Sequence, residues 1–321
     1  MPLSNHGPVV CQVESLQRQF AQVPGLPFAD LLPADLLQKL LAEQDIEWRE
    51  RDYPPLITLA VFLSQCQDAD PSLRQAVARR SAQQAVQDER QSSSNTGAYS
   101  RARKRLPENI IADLTRHIGK ELMHDAPPPW SWHGRQVKVV DGSTVSMPDT
   151  GRKVRTRTIT IATTLLDEDE YRKADLAALY RMRWQAELNL RSLKTVLQMD
   201  VLRCKSPAMV HKEFWAHLLA YNLLRKVMAQ AAQKYQVEPW TIRFKATQQT
   251  MNAFALPLLT CAKSELARIV DSLLLAIARH SVGNRPDRVE PRKVKRRPKP
   301  YGLLTTPREK ARKVETTKGC G

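Results

Sequence analysis

Tyr180–Lys194 reads YRMRWQAELNLRSLK. It contains no Gly and no Pro and is built from strong helix formers, so it is predicted to be a single helix. Tyr180, Arg183, Glu187 and Lys194 recur at spacings of three, four and seven. At about 100° per residue they share one narrow stripe. Leu179, Met182, Ala186, Leu190, Leu193 and Leu197 form an apolar stripe beside it. One carboxylate, two cations and a phenol thus line the edge of a face meant for burial. A Glu in that setting can ligate Mg²⁺ while Arg and Lys hold phosphate oxygens. Spacing alone also fits an ordinary charged helix face. Arg183 and Glu187 are an i,i+4 pair, which contributes roughly 0.2–0.5 kcal/mol on many exposed helices.

The combination is more specific than its parts. Tyr180, Arg183, Glu187 and Lys194 in this order and spacing, with Trp184 directly after the Arg, resemble the signature of the DDE transposases of the insertion-sequence-four family. The resemblance implies that Glu187 is the third metal-binding carboxylate. It also implies that Tyr180, Arg183 and Lys194 contact the DNA at the transposon end.

Upstream, Gln136–Val140 is β-branched and ends at Asp141-Gly142, as a strand ending at a turn does. On the dipeptide alone, a hairpin turn is the favoured reading. The longer string VVDGSTVSMPDT, residues 139–150, resembles the segment of the same family that carries its first catalytic Asp, which implies that role for Asp141. Asp149, in the same segment, is expected to be structural. Thr158–Leu166, TITIATTLL, reads as a second strand and resembles the one that precedes the Glu helix in the family.

Between Asp141 and Glu187 lie 45 residues, far fewer than the family pattern holds. The further strands and the second catalytic Asp have no matching motif, as if the middle of the domain had been deleted near residues 150–151. Two-metal phosphoryl transfer sets its ions about 3.5–4 Å apart between several carboxylates. The acids left in the gap, among them Asp167, Asp169 and Asp175, sit where helix-start acids sit, stabilised by the helix dipole. A sheet of two strands is also marginal and leaves edges open.

Toward the N-terminus, Leu56–Gln67 is apolar enough to be a buried helix, and Asp70-Pro71-Ser72 opens another. Pro33 starts a short amphipathic helix. Tyr99–Arg105 packs four cations into residues 101–105: Arg101, Arg103, Lys104 and Arg105. Such an element either grips DNA or is a solvated face of a structural helix. TGAYSRARKRLPE, residues 96–108, resembles the end of the family's end-binding domain, which implies DNA contact for those four residues.

The chain has 321 residues, with 50 Lys and Arg against 33 Asp and Glu, a formal charge of +17. That excess points to a polyanionic partner. Residues 285–321 hold 13 of the cations and 4 of the acids, interleaved with Pro, and read as a basic tail that grips phosphate without reading sequence. Five scattered cysteines argue against a disulfide framework or a zinc ribbon and fit a reducing cytoplasm. No signal pattern and no long apolar run is present, so no membrane association is expected. His211 and His217, six apart, are not at metal-ligand spacing.

The expected architecture is mainly α with a small β component. A helical, DNA-end-binding domain spans 1–125 and a proline-rich linker 126–135. A truncated ribonuclease-H-like catalytic domain with C-terminal helices spans 136–284, and the basic tail 285–321. The resemblance implies double-stranded DNA as partner (inverted-repeat ends and target), Mg²⁺ or Mn²⁺ as cofactor, and a homodimer in a synaptic complex. It implies a cytoplasmic, nucleoid-associated location. A non-catalytic DNA-binding remnant that competes with an intact transposase is the alternative.

Overall fold

PLITLAVFLSQCQ, the helix Pro55–Gln67 (α1), holds no charged residue, and a helix that is apolar all round belongs inside. All of it but Gln65 is buried. In the computed structural model, residues 36, 39–40, 52–135, 137, 167, 169–182 and 184–281 are described. They contain no strand, only two isolated antiparallel bridges, Trp132 with Arg135 and Ile242 with Ser281. The two strands expected within residues 136–140 and 158–166 lie outside the described residues.

Leu73–Val86 (α2) follows the Asp70-Pro71-Ser72 turn as expected, with the Ser72 Oγ accepting from the Gln75 N–H at 3.2 Å. Thr96–Arg105 (α3) and Glu108–His124 (α4) come next. A 3₁₀ turn at Pro128–Trp130 marks the proline-rich stretch. Lys173–Met182 (α5) and Trp184–Arg191 (α6) lie on either side of position 183. Pro207–Tyr235 (α7), Phe244–Thr260 (α8) and Lys263–Arg279 (α9) complete the described helices. α7 begins at Pro207, which fits the first helical turn, where no N–H is needed.

The 29-residue α7 is the central rod. Its Ala216, Leu219, Ala220, Leu223, Leu224 and Val227 share one core with Leu56, Phe62 and Leu63 of α1 and Ile110, Leu114 and Ile118 of α4. α9 adds Leu273 and Ile277. Helices on both sides of residues 126–135 therefore share this core. Leu36 and Leu40, helical like Lys39, pack against it from the Pro33 segment. A satellite core joins α1, α2 and α3 through Ile57, Val61, Val77, Tyr99 and Ala102.

Polar bonds cross these contacts. Lys212 of α7 donates to the Lys104 carbonyl at 2.7 Å, and Asn222 donates to the Thr115 carbonyl at 2.9 Å. Gln248 of α8 donates to the Gln67 carbonyl at 2.6 Å. Each satisfies a buried or half-buried group that would otherwise cost about 1–3 kcal/mol.

Candidate nucleic-acid interface

The single helix expected over Tyr180–Lys194 ends differently. Beyond Arg191 the backbone widens into a π turn, Ser192–Val196, with the Leu197 N–H donating to the Ser192 carbonyl at 3.0 Å. Ser192 is buried and its Oγ donates to the Leu188 carbonyl at 2.8 Å. That side-chain bond competes with the backbone ladder for the same carbonyl, a known way to disturb a helix. Lys194 therefore sits in a π turn rather than on a regular α-helical stripe.

Tyr180 is exposed on α5, and Glu187 on α6 and Lys194 are half-buried. Arg183 and Asp141 lie outside the described residues. Among the described residues, no three His, Cys, Asp or Glu side chains stand close enough to hold a metal ion together. Of the two candidate ligands, the described part contains Glu187. The acids near the start of α5 are engaged locally. Asp167 accepts from the N–H groups of Asp169 and Glu170 at 3.0 and 3.1 Å, and Asp175 pairs with Arg172 at 3.5 Å.

α6 is tied to the core by the hydrogen bond that Arg225 donates to Asn189 and by Leu193, Val196 and Leu197, which pack into it. Gln198, in the left-handed region at φ 55°, donates to the Ala69 carbonyl at 3.2 Å and so joins the following loop to α1's C-terminal turn.

α3 sorts its four cations by direction. Asn95 caps its start, accepting from the Gly97 N–H at 2.7 Å. A Cβ on Gly97 would come to 3.0 Å from the Asn95 Oδ1 and 3.3 Å from an Arg101 nitrogen, so glycine gives room for the cap and for Arg101. Arg101, Lys104 and Arg105 are exposed. Arg103 is 8% exposed, with its guanidinium 4.8 Å from the centre of the Phe62 ring and 5.4 Å from that of Tyr99. It donates to the Gln65 Oε1 at 3.3 Å, which also accepts from the Tyr99 hydroxyl at 2.8 Å. Burial pushes the Tyr99 phenol well above its ordinary pKa, so it stays a neutral donor.

A loop runs from the π turn to the start of α7. It is built on Glu213, an 8%-exposed carboxylate of α7. The Glu213 oxygens accept from the Arg203 N–H at 3.0 and 3.1 Å and from the Cys204 N–H at 2.9 Å. Burial, reinforced by Glu213, pushes the Cys204 thiol up to about 11. His217, one turn further along α7, is buried, and burial lowers its pKa. His211 is exposed and 3.7 Å from Glu108. The signal that could have marked this loop is Arg203-Cys-Lys-Ser206-Pro207, two cations directly ahead of a helix start.

A mainly helical unit that carries an Arg-rich helix and a conjoined Tyr-Glu-Lys segment is the class of protein defined so far. Residues 65–223 match the family model of the transposase DDE domain. The chain is 39% identical over 83 residues to the transposase for insertion sequence element IS421 of Escherichia coli, covering 24% of this chain and 22% of that protein. It is 27% identical over 166 residues to the transposase InsG for insertion sequence element IS4 of Escherichia coli K12, covering 48% of this chain and 38% of the relative. The chain is thus similar to transposases of insertion sequences, that of IS4 among them, and carries a match to their DDE domain. The matched stretches span well under two thirds of either relative. No solved structure matches the chain. None of the described helices is long and apolar enough to cross a membrane.

Proposed function

We propose that the chain acts on double-stranded DNA as a DDE-type transposase of an insertion sequence. The observation that carries this is the domain match over residues 65–223, which contains both α3 and the Glu187 segment. In this reading Arg101, Lys104 and Arg105 grip the backbone of the inverted-repeat end. Arg103, stacked between Phe62 and Tyr99, sets the helix that presents them. Tyr180, Arg183 and Lys194 hold the DNA near Glu187. Asp141 and Glu187 are the proposed ligands for Mg²⁺ or Mn²⁺. Glu187, the one of the two within the described residues, does not make a metal site by itself. The helical part before residue 126 serves end binding, the part after it strand cleavage and transfer, and the basic tail adds affinity. Two chains would have to meet to pair two ends. The protein works on the nucleoid.

A second reading has its own support. The 45 residues between Asp141 and Glu187 leave no motif for the second catalytic Asp. Asp167 and Asp175 in that interval are bound to neighbouring groups. The chain would then bind transposon ends without cutting them and compete with an intact enzyme.

One assay separates the two. Duplexes carrying the inverted repeats that flank the gene are incubated with the chain in Mg²⁺, Mn²⁺ or EDTA, then run for both shift and nicking. Metal-dependent nicking that disappears in Asp141→Ala and in Glu187→Gln supports the enzyme. Specific binding without nicking in any metal selects the competitor. A chain that neither binds nor cuts these duplexes overturns both.

A further inference from the structure

A cleft of about 460 Å³ lies among the Pro71–Leu73 turn, the C-terminal half of α3 and the loop before α7. Arg103, Lys104, Arg203 and Lys205 line it, together with Ser206, the N-cap residue of α7. Its size is that of a ligand site, which commonly runs to about 300–1,000 Å³. The carboxylate in its wall, Glu213, already accepts three hydrogen bonds from the backbone N–H groups of Arg203 and Cys204.

Three observations point to an anion. Among the described residues, none of the four cations is in an ion pair, whereas Arg80, Arg116 and Lys226 are paired at 2.7–2.8 Å. Arg103 is 8% exposed, yet its Nε–H has no acceptor. α7 has no acid in its first turn, and the Ser206 side chain makes no cap bond, so the positive end of a long helix is unbalanced from within. Helix N-termini and Arg forks are both built for phosphate oxygens.

We propose that this cleft seats a phosphodiester group of a DNA backbone, with Arg203 and Lys205 as its principal cations. DNA as the source of that phosphate rests on the function proposed above. Geometry favours a polymer over a small phosphate ester. Lys104 belongs both to the cleft and to the exposed row of α3, so a strand leaving the cleft meets Arg101 and Arg105 next. The site would join α3 to the loop that follows the Glu187 segment, gripping one duplex from both.

The test uses the full chain, a labelled duplex of random sequence and a salt series. Arg203→Gln with Lys205→Gln is compared with Arg90→Gln with Lys120→Gln, an equal loss of charge at exposed positions outside the cleft. Each lost phosphate contact lowers the slope of log affinity against log salt by about 0.9. The cleft pair, which shares one phosphate, should therefore lower it by about 0.9 and weaken binding on the order of tenfold at low salt, with the comparison pair near wild type. Lys104→Gln alone should lower it by about half as much. Arg203 and Lys205 are exposed, so melting midpoints should stay near wild type. A second arm follows inorganic phosphate by ³¹P line broadening, expected in wild type and lost in the cleft pair. An unchanged slope in the cleft pair, or an equal drop in the comparison pair, overturns the proposal. Binding of inorganic phosphate through these cations without any binding of duplex would keep the seat and remove DNA as its occupant. A folded wild type that binds neither overturns the seat and the DNA reading together.

Discussion

α1 and α6 end up in opposite environments: α1 holds no charged residue, whereas α6, WQAELNLR, alternates apolar with polar side chains. α1 is buried along nearly its whole length, and Leu56, Leu59 and Leu63 are fully inaccessible. In α5 and α6 large apolar side chains stay at the surface: Met182 is 43% exposed and Leu188 36%. α6 is held at its end, through Asn189, Leu193, Val196 and Leu197, rather than along its face. The core helix is specified by burial, which contributes about 25 cal/mol per Å² of apolar area. The Glu187 segment is placed by a few anchors at the π turn.

The largest expected effect breaks the first half of that comparison. Leu59→Ala, within α1, should cost about 2–5 kcal/mol in urea unfolding, from lost transfer and a residual cavity. Leu188→Ala should stay within about 0.5 kcal/mol, because the side chain keeps much of its solvent contact. Equal losses at the two positions would mean that α6 is as deeply packed as α1.

α3 repeats the contrast within ten residues. Arg103→Ala removes a stacked, hydrogen-bonded cation and should cost about 2 kcal/mol. Arg101→Ala should leave the melting midpoint near wild type and instead weaken DNA binding. If Arg103→Ala spared stability and cost affinity alone, the buried stack would not be what positions this helix.

These contrasts show what sequence can reveal. The absence of charge in Leu56–Gln67 was enough to predict a buried helix, because no solvent face could be drawn on it. Counting four cations in residues 101–105 was not enough to say where they point. Helical spacing holds that information: Tyr99, Ala102, Arg103 and Leu106 fall at i, i+3, i+4 and i+7 and are all buried. The π turn was hidden because it follows from one serine bonding its own helix, which no periodicity records. The Glu213-bound loop was hidden for a different reason: Arg203 and Glu213 meet through tertiary contact, ten residues apart. Of the proposed site, Glu187, Tyr180 and Lys194 are in the described part, while Asp141 and Arg183 lie outside it.

Glu213 tests whether that loop is held by one carboxylate. Glu213→Ala would leave the Arg203 and Cys204 N–H groups without their acceptor and should cost about 1–3 kcal/mol. Glu213→Gln keeps one acceptor oxygen and should cost less. The useful readout is the order of the two, together with faster amide exchange at residues 203 and 204. If the two variants lost the same stability, the charge would matter more than the hydrogen bonds.

The smallest effect belongs to His217 and separates the buried region from the exposed one by pH. Burial holds its imidazole neutral and lowers its pKa, opposed by Glu213 and aided by Arg203. In the unfolded chain it takes up a proton near pH 6.5, while in the folded chain it does so at lower pH. Between those two values the unfolded state binds more protons, so stability falls as pH falls through that window. Above about pH 6.5 both states are neutral and this residue contributes no pH dependence. Subtracting the pH profile of His217→Gln from that of wild type should leave a decline in melting midpoint that begins below about pH 6.5. In a Glu213→Gln background the opposing charge is gone, so the decline should extend to lower pH. A difference profile that is flat, or that rises toward acid, would mean that His217 is charged in the fold and that α7 is more open to water there than its burial implies.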